Sequence, residues 1–232
     1  MIKRKLPKPG TIEVNPSILS ADFARLADEL AIVERADVKM VHLDIMDGHF
    51  VPNITIGPPV VEKLREHSNL FFDAHLMITD PRKYAPAFVK AGVNNITFHI
   101  EVEKKPAEFI RMLHDMGVTA GLCLNPETPV KAIEKYAHLA DMILVMTVHP
   151  GFGGQKFIAS AAKKIRTIRN IVGPKIRVEV DGGIDAKTTP IVVGYGADTL
   201  VAGRAIFGEK NRIAAINALR RSSGQALRKT CK

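Results

Sequence analysis

The stretch Val41-His42-Leu43-Asp44-Ile45-Met46-Asp47-Gly48 sets an imidazole and a carboxylate two residues apart in an alternating apolar run. Successive side chains on a strand point to opposite faces, so His42, Asp44 and Met46 share one face and Val41, Leu43 and Ile45 the other. An imidazole and a carboxylate so placed suit a metal site, or a base with its orienting partner. Asp47-Gly48 then supplies a turn. An amphipathic strand with one face in water would carry the same pattern. The choice therefore turns on what the rest of the chain brings to that face.

The elements that would position these residues follow from hydrophobic spacing and from Gly and Pro punctuation. Strands are expected at Ile12–Ser17, Lys39–Ile45, Leu70–Met77, Asn95–Ile100, Val118–Leu124, Met142–Val148, Ile176–Val180 and Thr199–Ala202. Between them, helices are expected from Ser20-Ala21-Asp22 through Val33, and over Val60–Glu66 after a loop, Phe50–Pro59, that holds three prolines. Others start at Asp80-Pro81 and span Pro106–Met116, Pro129–Tyr136, Ile158–Val172, a segment near Ala186–Gly194, and Asn211–Leu219. Eight strands alternating with helical segments describe a parallel sheet with helical crossovers. The first βα turn, Ser17–Asp22, contains no glycine, so the dinucleotide fingerprint of an open doubly wound sheet is missing. The expected fold is α/β, a (β/α)8 TIM barrel. It should fill residues 1–232 as one domain, with short basic tails at 1–11 and 220–232.

Active sites of such barrels lie at the carboxyl ends of the strands. There the sequence offers Ser17, His42 with Asp44, His75, Met146 with Gly151-Phe152-Gly153-Gly154, Asp181-Gly182-Gly183, and Gly203-Arg204. Two imidazoles and two carboxylates, His42, Asp44, His75 and Asp181, are a ligand set for one divalent ion such as Zn, Fe, Mn or Co. His67, His99, His114 and His138 lack such a grouping and are expected to be structural. Exposed backbone N–H groups bind phosphate, and glycine lets the backbone come close. The loops after strands seven and eight, with a short helix N-terminus, form a recurrent phosphate site in these barrels. Gly182, Gly183 and Gly203 occupy those places with Gly151–Gly154 beside them, so a phosphorylated ligand is expected.

Composition narrows the class. With 46% hydrophobic and 25% charged residues the chain reads as a soluble globular protein. No apolar run has the length of a membrane span, and Met1–Gly10 lacks the apolar centre of a signal peptide, so a cytosolic protein is the expectation. Lys and Arg number 33 against 24 Asp and Glu, giving +9, part of it in Lys3, Arg4, Lys5 and Lys8 and in Arg220, Arg221, Arg228, Lys229 and Lys232. A positive field favours anionic partners. The absence of Trp, three Tyr and no basic–aromatic stripe argue against nucleic acid. The partner expected is a small phosphorylated metabolite, with no nucleic acid and no membrane, and homo-oligomer formation is left open. Cys123 reads as a core residue and Cys231 as part of the basic tail, which fits a reducing compartment.

The segments Asn15–Asp22, His42–Gly48, His75-Leu76-Met77, Pro150–Phe157 and Asp181–Ile184 resemble the ribulose-phosphate 3-epimerase family, in its order and spacing, from Ile12 to Phe207. The resemblance implies a (β/α)8 barrel of pentose phosphate metabolism that interconverts D-ribulose 5-phosphate and D-xylulose 5-phosphate. By position it makes His42, Asp44, His75 and Asp181 the metal ligands and Asp44 and Asp181 the acid/base pair. Met46, Met77 and Met146 would line the reacting carbons, and Ser17 and His75 would contact the sugar. Gly151, Phe152, Gly153, Gly154, Gly182, Gly183 and Gly203 would hold the phosphate side. The chain departs from the family pattern at Arg204, where serine is usual, and at His149, where asparagine or glutamate is common. Two carboxylates on opposite faces of the carbon next to a carbonyl would move its proton, and a divalent ion would stabilise the resulting enediolate. The rival readings are an epimerase of a six-carbon ketose phosphate such as D-allulose 6-phosphate, and a non-catalytic phosphate- or nucleic-acid-binding barrel.

Overall fold

The computed structural model of the chain describes residues 5–230, with side chains through 226. Lys3, Arg4, Cys231 and Lys232, and the side chains of Arg228 and Lys229, lie outside what is described. Eight strands, β1 (Glu13–Pro16), β2 (Met40–Met46), β3 (Phe71–Met77), β4 (Asn95–His99), β5 (Thr119–Leu124), β6 (Met142–Met146), β7 (Arg177–Asp181) and β8 (Thr199–Ala202), form one parallel sheet. Its order, β1-β8-β7-β6-β5-β4-β3-β2, leaves β1 and β2 as the two edges, and a single parallel pairing of Ser17 with His42 brings them together. The sheet thus curls into a nearly closed barrel, and the seam falls on two of the candidate site residues.

The crossovers are α1 (Leu26–Glu34), α2 (Pro58–His67), α3 (Pro81–Lys90), α4 (Pro106–Asp115), α5 (Ala159–Ala162), α6 (Lys164–Val172), α7 (Thr189–Tyr195), α8 (Arg204–Phe207) and α9 (Arg212–Thr230). Prolines open α2, α3 and α4, where a missing N–H costs nothing, and the Asp80 carboxylate accepts the Lys83 N–H to cap α3.

Alternation along the strands sorts side chains into two environments. Val41, Leu43, Ile45, Phe72, Leu76, Ile96, Phe98, Val178 and Val180 join the apolar layer between sheet and helices. Their neighbours on the other face fill the barrel lumen: Asn15, His42, Asp73, Asn95, Thr97, Arg177, Glu179 and Thr199 are all fully buried. At the amino ends of the strands Arg177 closes the barrel. Its guanidinium donates to the carbonyls of Pro7, Lys8, Thr11 and Asp198 and to the Thr199 hydroxyl at 2.5–3.0 Å. Part of the segment read as a basic N-terminal tail is therefore held under the barrel floor.

Three elements differ from expectation. No α-helix follows β5; Val130–Ala132 and Ala137–Leu139 form short 3-10 turns. Val130, Ile133 and Tyr136 recur every three residues, which suits the 3-10 period better than 3.6. The helix expected over Ile158–Val172 divides into α5 and α6. The last helix does not stop at Leu219 but runs to Thr230, because Arg220 donates to the carbonyls of Ala36 and Asp37 and Ser223 and Ala226 are buried.

Candidate active site and metal centre

The register of β2 on β3 pairs His42 with Asp73, Asp44 with His75 and Met46 with Met77. On the far side of the mouth β7 ends in Asp181. Four donor atoms meet at this rim. His42 Nε2 stands 3.3 Å from His75 Nδ1, 3.6 Å from Asp44 Oδ1 and 4.0 Å from Asp181 Oδ2. His75 Nδ1 stands 3.8 Å from Asp44 and 3.9 Å from Asp181. Donors about 2.1 Å from a common ion at the tetrahedral angle stand about 3.4 Å apart. The observed separations are close to that, so the set fits one small divalent ion.

Electrostatics supports the fit. Burial alone would lower the His42 pKa, but the carboxylates of Asp44 and Asp73 outweigh it and raise it well above the usual imidazole value. The centre thus favours positive charge. Burial, chiefly, holds His75 down to about 4, leaving it neutral as a metal ligand must be. Asp73 Oδ2, 2.7 Å from His42 Nδ1, accepts that N–H, which leaves Nε2 facing the centre.

The two carboxylates differ. Burial would raise Asp44, yet His42 and His75 hold it far below the usual carboxylate range, and the Ser17 hydroxyl donates to it at 2.5 Å. Asp181 is pushed up to about 7, first by burial and then by the charge on Asp44. Pairs of carboxyl groups pushed apart in this way divide into a base and an acid.

A cavity opens over this centre, lined by Ser17, Met46, Met77 and Met146, by Gly151–Gly154, and by Gly182, Gly183, Gly203 and Arg204. Every residue expected at the sugar and phosphate is there except His75, which lies beneath among the ligand atoms. Met46 and Met77 pack with Val51, and Met146 with Cys123, Leu144 and Val148, so two apolar walls face the carboxylates. Gly182 and Gly183 have φ of +121° and +66°. A Cβ would meet the Val148 backbone at 2.6 Å and the Phe157 backbone at 2.9 Å, so only glycine brings this turn to the cavity. The Gln155 amide donates to the carbonyls of His149 and Phe152, bracing its own loop, and the Asn53 amide ties that loop to the one after β2 through the Gly151 carbonyl. Arg204 is exposed, forms no ion pair among the described residues, and brings its guanidinium to 3.1 Å from where a Gly154 Cβ would lie. His149 turns outward to Glu127.

Sequence spacing alone missed several residues. Ser20 lines the cavity between Gly153 and Gly203. Asp73, Glu179 and Asn15 form the floor: the Asn15 amide donates to both carboxyl groups at 2.8 Å. Asp73 and Glu179 sit two residues before His75 and Asp181, a spacing that would have marked them. His99 is a correction. It is fully buried with Nε2 2.8 Å from His75 Nε2, so it is grouped with the site. His67, His114 and His138 belong to no ligand group among the described residues.

The described residues carry no helix long and apolar enough to cross a membrane. Residues 13–207 match the model of the ribulose-phosphate 3 epimerase family. The chain belongs to this family. It is 47% identical over 215 residues to the ribulose-phosphate 3-epimerase of Bacillus subtilis, covering 91% of this chain and 99% of that one. It is 45% identical to the ribulose-phosphate 3-epimerase of Mycobacterium tuberculosis, covering 92% and 93%. A cytoplasmic isoform from Oryza sativa is 42% identical, covering 90% and 93%. Among solved structures, 3-keto-L-gulonate-6-phosphate decarboxylase from Vibrio cholerae superposes with a TM-score of 0.67 at 17% identity, covering 94% of this chain and 98% of that one. The 3-hexulose-6-phosphate synthase of Salmonella typhimurium gives 0.64 at 16%, covering 93% and 100%. At such identities these two share the fold alone. Membership of the epimerase family makes the chain a ribulose-phosphate 3-epimerase, an isomerase of sugar phosphates.

Proposed function

We propose that the rim cavity binds a pentulose 5-phosphate and inverts C3 with Asp44 and Asp181 as the proton-transfer pair. The observation that carries this reading is the convergence of those two carboxyl groups, one on β2 and one on β7, upon a single point beside three methionines. Strands β2 and β7 lie three steps apart round the barrel, so their carboxyl groups reach a bound sugar from different sides. Inversion next to a carbonyl needs that placement: one group takes the proton and the other returns it to the opposite face. Asp44, held ionised, takes the C3 proton of the ribulose epimer. Asp181 supplies a proton from the other side, and the roles exchange in reverse.

His42, Asp44, His75 and Asp181 would hold one divalent ion, with Zn, Fe, Mn and Co the candidates. When bound it supplies Lewis-acid stabilisation to negative charge developing on the substrate oxygens. Met46, Met77 and Met146 keep competing donors and water from the reacting carbons. Ser17 donates to Asp44 and lies within reach of the sugar. Gly151–Gly154, Gly182, Gly183 and Gly203 offer backbone N–H groups to the phosphate, and Arg204 adds a charge that the usual serine does not. The same reading puts the enzyme in the cytosol, as the name of the rice relative does for that protein.

The test is a coupled epimerase assay on chelated protein, reloaded with one ion at a time, using ribulose 5-phosphate and allulose 6-phosphate in parallel. Chelation should abolish turnover and at least one first-row ion should restore it, with the five-carbon substrate preferred. Full activity in metal-free protein would reject the metal centre, and preference for the six-carbon sugar would reject the substrate.

A further inference from the structure

His99, buried at the end of β4, and Glu101, in the exposed loop that follows, extend the site sideways from His75, and nothing in the reaction as proposed above uses them. His99 Nε2 lies 2.8 Å from His75 Nε2, and the two rings stack with centroids 5.0 Å apart at 16°. On its other side His99 Nδ1 lies 3.2 Å from Glu101 Oε2. Glu101 is anchored in turn, accepting the Asn125 N–H at 2.8 Å and the Thr128 hydroxyl. The ring of Phe50, from the loop after β2, covers His99 at 4.7 Å.

Proton counting along this chain gives one register. Two imidazole nitrogens 2.8 Å apart attract only if one of them carries a hydrogen. A carboxylate already accepting two other hydrogen bonds can only accept from His99, so Nδ1 of His99 carries its proton and Nε2 is bare. His75 must then donate from Nε2, which leaves Nδ1 bare. That Nδ1 is the atom that lies 3.3 Å from His42 Nε2, 3.8 Å from Asp44 and 3.9 Å from Asp181. The opposite register needs an additional proton on Glu101 or His99.

We propose that His99 and Glu101 are positioning residues that lock the proton of His75 on Nε2 and so present a bare Nδ1 to the rim centre. The consequence for metal binding rests on the metal-centre reading given above. Partners of this kind change metal affinity by about 10–100-fold when removed. They act on ring orientation and on which nitrogen is free, and neither residue touches the substrate cavity.

The experiment has two arms. Ring 15N NMR of histidine-labelled protein, metal-free at pH 8, reads the tautomers directly: His75 should be protonated on Nε2 and His99 on Nδ1. Zn2+ affinity by chelator competition should fall about 10–100-fold in His99→Leu. It should recover in part in His99→Gln, whose amide oxygen can accept from His75, while the two variants unfold at similar denaturant concentrations. A role in packing alone would leave Leu and Gln equal. A His75 proton on Nδ1 in the unaltered protein would overturn the proposal, as would unchanged affinity in folded His99→Leu. If His99→Leu does not fold, the tautomers of the unaltered protein decide. Protein that binds no Zn2+ yet shows the Nε2–H tautomer would refute the metal centre and support the relay.

Discussion

Asp47 provides the sharpest test of how the rim is held in place. Its Oδ1 accepts the N–H groups of His49 and Phe50, both at 2.9 Å, in the loop after β2. Its Oδ2 accepts the N–H and hydroxyl of Thr79, at 2.8 and 2.9 Å, in the loop after β3. One carboxylate therefore clamps the ends of the two strands that carry His42, Asp44 and His75. Burial acts to raise its pKa, but these donors outweigh it and hold the group down to about 2 from 3.8. A depression of that size corresponds to a ceiling of about 2.4 kcal/mol. The side chain is in good part solvated, so about 1 kcal/mol is the figure to expect. Because the folded pKa is the lower one, the contribution is complete above the unfolded value and is lost as pH falls through the folded one. About half should remain at pH 3. Urea unfolding of Asp47→Asn and unaltered protein at pH 7 and pH 3 reads this. The variant should be about 1 kcal/mol less stable at pH 7, equivalent to a melting point lower by about 2–4 °C, and the gap should narrow at pH 3. Equal stability at pH 7, or a gap that widens in acid, would refute the clamp.

Asp44→Asn and Asp181→Asn should each lower net epimerisation by at least ~10²–10⁴-fold. In metal-loaded variants, solvent deuterium should enter C3 of one epimer only, xylulose for Asp44→Asn and ribulose for Asp181→Asn; near-native interconversion by either would reject the two-base mechanism. Arg204→Ser should raise KM for the sugar phosphate roughly fivefold, the effect of about 1 kcal/mol, and weaken its salt dependence while leaving kcat unchanged. Arg177→Met removes the floor cation and its hydrogen bonds to the carbonyls of Pro7, Lys8, Thr11 and Asp198 and to the Thr199 hydroxyl, while the Asp198 carboxylate keeps Arg169. It should cost about 1–3 kcal/mol in chemical denaturation, through the polar groups that lose their donor, with little change in the KM of the folded enzyme.

The strands were legible because both of their faces carry a pattern: an apolar layer under the helices alternating with residues of another kind. β8 falls where its spacing put it, and β2 runs one residue past Ile45 to Met46. The rim residues were legible because Gly and Pro mark the strand ends. Asp73, Glu179 and His99 were harder, since a polar residue facing a barrel lumen has the same spacing as one facing water. What separates the two is register, which sets Asp44 beside His75 and His99 beside Cys123 and is a relation between distant segments. The last helix was obscured by composition: Arg220 to Gly224 reads as a polar tail until the carbonyls of Ala36 and Asp37 are near enough to accept from Arg220.

The polar lumen explains why this barrel can keep a reactive centre in register. An apolar filling would add stability, since each polar group in the lumen costs about 1–3 kcal/mol if left without a partner. Here most of the groups partner one another, Asn15 Oδ1 and Glu179 Oε2 being the floor atoms without a hydrogen-bond partner. Asn95 donates to Asp73 at 2.7 Å and to Thr97 at 2.9 Å, and Asn15 joins Asp73 to Glu179. Burial, then the charge on Asp73, pushes Glu179 well up, so it keeps its proton and adds no second negative charge beneath His42. Stability is left to the outer layer, where the large apolar side chains of the sheet meet the helices. The lumen is thereby free to orient His42 from below through Asp73 and to reach His75 through His99. A substitution that fills the lumen with carbon, such as Asn95→Leu, should therefore disturb Zn2+ affinity more than its effect on unfolding alone would suggest. Equal affinity in a folded Asn95→Leu protein would show that the floor only fills space.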